Sequence, residues 1–220
     1  KKTAKNLRVV IDPGHGGSDP GKVAVDGTME KDVNLQIALA LGQYLKKHGV
    51  DVYYTRESDC TLCQEDGGSK KARDLQKRCQ IVEHCKPDMT ISIHQNSYTS
   101  SSVNGFEVYY SDAIPGSRGL LSSGGIEYSP SGFIRSAESE KVKISKKIGS
   151  SIVNSVTSEM GIKNRGLKNK ELYVVKNTTM PSLLVECGFI SNPDEAKNLA
   201  NSQKQQKMAE IIAREIDKNL

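Results

Sequence analysis

The sequence has no tryptophan, and phenylalanine occurs only 3 times in 220 residues. Aromatic platforms on which single-stranded nucleic acid could stack are therefore scarce. The net charge of +5 comes from Lys and Arg scattered over helix-like segments, not from a basic patch joined to a recognition motif. Nucleic acid is not an expected partner, and the excess suits a surface that tolerates an anionic polymer. No apolar run approaches the roughly eighteen residues that a membrane-crossing helix needs. No G-x-S-x-G is present, so the strained elbow of a serine hydrolase is missing. The glycine-rich stretch G-H-G-G-S-D-P-G (14–21) lacks the third glycine of a dinucleotide fingerprint, and no G-K-[ST] follows it.

The 5 cysteines do not make a four-thiolate zinc site. Cys60 and Cys63 form C-x-x-C, but Cys79 and Cys85 are too far apart to be the second pair. Disulfides among these four and reduced thiols both remain open. Cys187, inside an apolar run, reads as a small buried hydrophobe.

What is present describes one α/β domain spanning 1–220. Hydrophobic residues make up 36% and charged residues 26%, a globular balance. The chain begins at Lys1, not Met, so the expectation is a processed or trimmed form from which an export signal is already gone. Strands are expected at Val9–Ile11, Val50–Thr55, Met89–Ile93, Gly105–Tyr110, Leu172–Val175 and Ser182–Cys187. Helices are expected from Glu30 to Gly49, from Ser69 to Cys85 with Arg73, Lys77 and Arg78 facing water, from Glu138 to Met160, near Asp194–Ala200, and from Gln203 to Leu220. Residues 111–137 carry Ser, Gly and Pro with little periodicity. A loop that long in a compact domain reads as a lid, a binding loop or a mobile segment.

Chemistry collects where apolar runs end. Val9-Val10-Ile11 stops at Asp12-Pro13-Gly14, and His15 follows among glycines. Met89–Ile93 stops at His94. Such strand exits share one edge of an open α/β sheet, where ligands bind. Glu30 opens a helix and could merely complement its dipole. Together, His15, Glu30 and His94 supply the two imidazoles and one carboxylate of a catalytic zinc shell. Glu186 follows Leu183, Leu184 and Val185, a costly place for a carboxylate unless it is paired or functional. It is the candidate general base.

Several motifs then resemble one family. V-V-I-D-P-G-H-G-G (9–17), E-K-D-V-N-L (30–35), S-I-H-Q-N-S (92–97), N-R-G-L-K (164–168), L-Y-V-V-K-N-T-T-M-P (172–181) and L-V-E-C-G-F-I-S-N-P (184–193) are similar, in order, to the zinc-dependent N-acetylmuramoyl-L-alanine amidases of bacterial cell walls. The resemblance implies a three-layer α/β domain with a central mixed, mostly parallel, twisted sheet of about six strands flanked by helices. It implies one Zn2+ on His15, Glu30 and His94, catalysis by Glu186, and Asn96 as a substrate contact. The implied substrate is peptidoglycan, cut between the muramic acid lactyl group and L-alanine, by a protein exported to the cell envelope. The chain departs from the family at Gln95 and Ser97, where S-I-H-A-N-A is common, and at Cys187, where V-G-F is usual. The long 111–137 segment resembles the subgroup linked to spore-cortex modification and germination, and suggests a site for an activating or regulatory protein. Two alternatives stay open: a zinc peptidase acting on wall peptides, and a wall-binding module with a degenerate metal site.

Overall fold

The computed structural model describes residues 7–63, 69–113 and 139–220. The expected lid or docking segment therefore lies, from residue 114 to 137, outside the described residues. Six strands form a single sheet in the order β2-β1-β3-β6-β4-β5. They are β1 (Arg8–Pro13), β2 (Asp51–Tyr54), β3 (Met89–Asn96), β4 (Phe106–Tyr110), β5 (Asn164–Asn169) and β6 (Ser182–Phe189). All neighbouring pairs are parallel except β4 against β6. The mixed, mostly parallel sheet is thus as expected.

Helices cover both faces, giving three layers. On one side lie α1 (Glu30–Lys47), α3 (Glu140–Met160) and α6 (Ser202–Asn219); α1 and α3 pack on the sheet, and α6 packs against both of them. Val33, Ile37, Leu41 and Leu45 of α1 recur at helical spacing and are buried. They meet Ile91, Ile93, Leu183 and Val185 of the sheet and Ile212 and Ile216 of α6 in one large core. Local signals set the helix ends. Gly49 takes φ 80° just beyond α1, Gly161 takes φ 66° at the end of α3, and Ser139 and Asn201 cap α3 and α6 with their side chains.

The opposite face carries α2 (Lys70–Cys85) and the short α4 (Tyr173–Lys176). It is more polar. Because side chains alternate along a strand, Asp12, Ser92, His94, Leu184, Glu186, Glu107 and Tyr109 share it, as the strand registers require. Short α5 (Pro193–Leu199) follows β6.

Two expectations need correction. Leu172–Val175 is not a strand: Tyr173–Lys176 is the helical turn α4, which drops Val175 onto Leu184 and Tyr109. The sixth strand is instead β5, N-R-G-L-K-N. As an edge strand with one apolar residue, it gives almost no alternating signal. Arg78 does not face water either. Its side chain is 3% exposed, and it is paired with Asp12 and Asp74. All five cysteines are free, and Cys187 is buried as expected.

Candidate metal centre and catalytic site

Pro13 ends β1, and the chain turns at once. His15 stands in the left-handed region, φ 60°, followed by Gly16 and Gly17, also at positive φ. A non-glycine residue held there is strained unless its surroundings fix it. Here they do. Arg78 Nη2 donates to the His15 carbonyl at 2.6 Å, and Nη1 donates to Pro13 O at 2.7 Å. Arg56 donates to the carbonyls of Pro13 and Gly14, each at 3.0 Å. The turn is held by two buried guanidiniums; Asp12 and Asp74 pair with Arg78, and Asp12 and Asp59 act on Arg56 at longer range.

The turn aims the imidazole at Glu30, on the first residue of α1. His15 Nε2 lies 3.2 Å from Glu30 Oε1, and His94 Nδ1 reaches the same oxygen at 3.0 Å. The two rings meet edge to face with centroids 5.1 Å apart. One donor atom from each of the three residues lies within 4.8 Å of the others. His15 Nδ1 is turned away to Asp19 Oδ2, 2.8 Å, as a metal-binding imidazole is oriented by a carboxylate behind it. Glu30 is backed by the amides of Lys22 and Gln95 and by the Asn34 side chain. Burial opposes its charge, but hydrogen bonds from both imidazoles hold its carboxyl well below the usual range. Close approach is built in: a Cβ on Gly14 would fall 2.1 Å from His94 Cε1.

Glu186 sits directly across from His94 in the β3–β6 register. Its Oε2 is shut off from water and, among the described residues, has no hydrogen-bond partner. Burial, with Glu30 and Glu107 nearby, outweighs His94 and pushes its carboxyl up to about 7. Between His94/Glu186 and Asn96/Phe189 the register slips by one residue, so β6 bulges beside the site. A cleft of about 430 Å³ opens next to it, walled by His15, His94, Arg78, Leu172, Tyr173 and Leu184 among others.

The structure therefore brings His15, Glu30, His94 and Glu186 to one place. Asn96 is close by, at the end of β3, and its Nδ2 donates to Glu107. The cysteines of C-x-x-C lie instead on the loop that contacts Gly16 and Gly17 from outside.

Comparison with known proteins decides the family. The profile of the N-acetylmuramoyl-L-alanine amidases matches residues 9–218. This chain is a member of that family. It is 32% identical over 210 residues to the germination-specific N-acetylmuramoyl-L-alanine amidase of Bacillus subtilis, covering 93% of this chain and 76% of that one. Among solved structures, amidase AmiC2 of Nostoc punctiforme superposes with a TM-score of 0.75 at 32% identity, covering 98% of each chain. The CwlD amidase of Clostridioides difficile, solved with the GerS lipoprotein, gives 0.77 at 30% identity, covering 97% of this chain and 98% of that one.

As an amidase, the chain hydrolyses the peptidoglycan amide joining N-acetylmuramic acid to L-alanine. Two of its departures from the usual motifs lie together: the Cys187 thiol approaches the Gln95 amide, and Gln95 Nε2 donates to Asn34 Oδ1 at 3.1 Å. Asn34 in turn supports Glu30, so these two changes form one linked group behind the ligands. Some supporting residues escaped the sequence reading. Asn34 was legible as the residue one helical turn after Glu30, and Asp19 as the carboxylate four after His15. Arg56 and Glu107 carried no local signal.

Proposed function

We propose that His15, Glu30 and His94 hold one zinc ion and that Glu186 is the general base and acid of the amidase reaction. Two imidazoles and one carboxylate, with donor atoms within 4.8 Å of one another, fit the three-ligand set of a catalytic zinc. When bound, zinc acts as a Lewis acid on the amide carbonyl and on the attacking water. The single observation carrying the reading is Glu186: a carboxylate with an oxygen unpartnered among the described residues, in register with a candidate ligand.

Glu186 takes the proton from the attacking water and returns it to the nitrogen of the departing L-alanine. Its raised pKa suits a group that must both accept and release a proton near neutrality. Asp19, accepting from His15 Nδ1, orients the ring so that Nε2 faces the centre. Asn96 and Tyr109 hold Glu107 beside Glu186, and in this reading Asn96 acts on the substrate through that position. The open cleft admits a polymer chain and not only a small molecule.

The likeness to a germination-specific amidase supports spore cortex as the wall acted on, and with it an exported location. The neighbour solved with a lipoprotein supports a protein partner. The test is zinc content measured beside muropeptide release, read by mass spectrometry. Near one zinc per chain, with release of stem peptide bearing free N-terminal L-alanine, supports the reading. Cleavage within the peptide would make the chain a wall peptidase, and wall binding without zinc or release would make it a binding module.

A further inference from the structure

A row of charges crosses the sheet beside Glu186. Glu107 pairs with Glu186 in the antiparallel β4–β6 register, so the two carboxylates point to the same face. Glu107 is buried, at 2% exposure, and takes Arg165 and Lys168 as partners on Oε2. Burial raises its pKa, but Lys168, Tyr109 and Arg165 outweigh burial and keep it ionised.

Edge strand β5 is distorted to bring these cations over. Phe106 pairs with Asn164 but Val108 with Leu167, so β5 carries one extra residue. Gly166 takes φ 86° in that bulge. Regular alternation would send Arg165 and Lys168 to opposite faces. The bulge puts both on the Glu107 side, while Leu167 points into the main core.

Two cations already meet the one buried carboxylate, yet a third follows directly after β5 ends at Asn169. Lys170 Nζ lies over the Tyr109 ring, 5.1 Å from its centroid, with Lys168 Nζ over the same ring at 5.8 Å. Lys170 is exposed and, among the described residues, makes no direct ion pair; the carboxylate its charge acts on is Glu186, at longer range. Against burial, which raises it, this charge lowers the Glu186 carboxyl's pKa, so a positive charge stands near the candidate base and has a natural complement. Of the two parts joined by the scissile amide, the N-acetylated sugar is uncharged, whereas the peptide carries free carboxylates.

We propose that Lys170, braced with Lys168 on Tyr109, is a subsite for a free carboxylate of the stem peptide just beyond the scissile bond. The inference rests on the amidase reading above and adds to it a specificity: substrate with that carboxylate free is preferred over substrate with it amidated. Lys168 and Arg165 are committed to Glu107, so Lys170 is the residue to test.

The experiment compares zinc-loaded wild type, Lys170→Ala and Lys170→Glu on N-acetylmuramoyl-L-alanyl-D-isoglutamate and its isoglutamine analogue. Binding of the product dipeptides, acid and amide, is measured in parallel by calorimetry. An exposed ion pair predicts a preference of about fivefold for the acid, carried by KM. That ratio falls to about one in Lys170→Ala and inverts in Lys170→Glu. Equal handling of acid and amide by wild type, or an unchanged ratio in the variants, overturns the subsite. If wild type cleaves neither compound, the amidase reading is what fails, and the dipeptide binding ratios still decide the carboxylate subsite.

Discussion

Arg78 Nη2 lies 2.6 Å from the carbonyl oxygen of His15. This bond ties helix α2 to the backbone of a candidate ligand held at φ 60°. With Nη1 on Pro13 O and on Asp12 Oδ1, and Nε on Asp74, one side chain spans the whole turn. Arg78→Lys keeps the charge but loses the planar fork. Zinc affinity should fall about tenfold to a hundredfold, the usual scale for residues that orient a ligand. Competition with a chromophoric chelator would measure it. Unchanged affinity in a folded variant would show that the turn keeps its conformation without the clamp.

Gly14 makes a sharper prediction, because no change of charge is involved. Its amide donates to Ile93 O at 3.0 Å, and its carbonyl accepts from Arg56 and Asn34. The backbone therefore cannot retreat, and a Cβ would overlap the His94 ring at 2.1 Å. Gly14→Ala should displace His94, abolish stoichiometric zinc binding and remove activity while the core stays folded. Metal analysis beside a far-UV circular dichroism melt separates the two effects. Normal zinc content would mean that His94 can hold metal from another rotamer.

How far these features could be read in advance depended on where their partners lie. His15, His94 and Glu186 were visible because each breaks an apolar run, and a polar residue at a strand exit is a local signal. Glu30 was visible only in combination, since alone it passes for a dipole-compensating first-turn acid. Arg78 was not visible: its Asp12 partner is 66 positions away, and an arginine on an amphipathic helix normally faces water. β5 was hidden because an edge strand carries little core-facing pattern, and Leu172–Val175 misled because its apolar residues cover the sheet instead of joining it. The α/β class followed from strand and helix patterns alternating along the chain, whereas the three layers around a mixed sheet were implied by the family resemblance.

Glu186 as base predicts a particular pH profile. Its ionised form accepts the proton, so kcat/KM should fall as pH drops through its pKa. Without metal that pKa is raised to about 7 by burial, and a bound cation draws it down. The acid limb should therefore lie between about pH 5 and 7, with zinc content followed at each pH. Glu186→Gln should retain zinc and lose about a hundredfold to ten-thousandfold in rate. A variant with full zinc and near-normal rate would remove Glu186 from the mechanism.

Asp12 governs acid stability. Its Oδ1 accepts from Thr55 and Arg78 and its Oδ2 from Ser92, at 2.6, 2.7 and 2.7 Å. Burial alone would raise its pKa, but the Arg78 charge and the hydroxyl hydrogen bonds lower it below the ordinary 3.8. A group with a depressed folded pKa contributes stability that is complete above its unfolded value and is lost as pH falls through the folded one. Asp12→Asn leaves Arg78 buried with one carboxylate fewer, which should cost about 3–5 kcal/mol at neutral pH. Urea unfolding from about pH 7 to pH 2 should show a constant gap between variant and wild type down to about pH 4, narrowing only below it. A gap that closed between pH 7 and 5 would mean that Asp12 is protonated well above its ordinary range, and that Arg78 is balanced chiefly by Asp74.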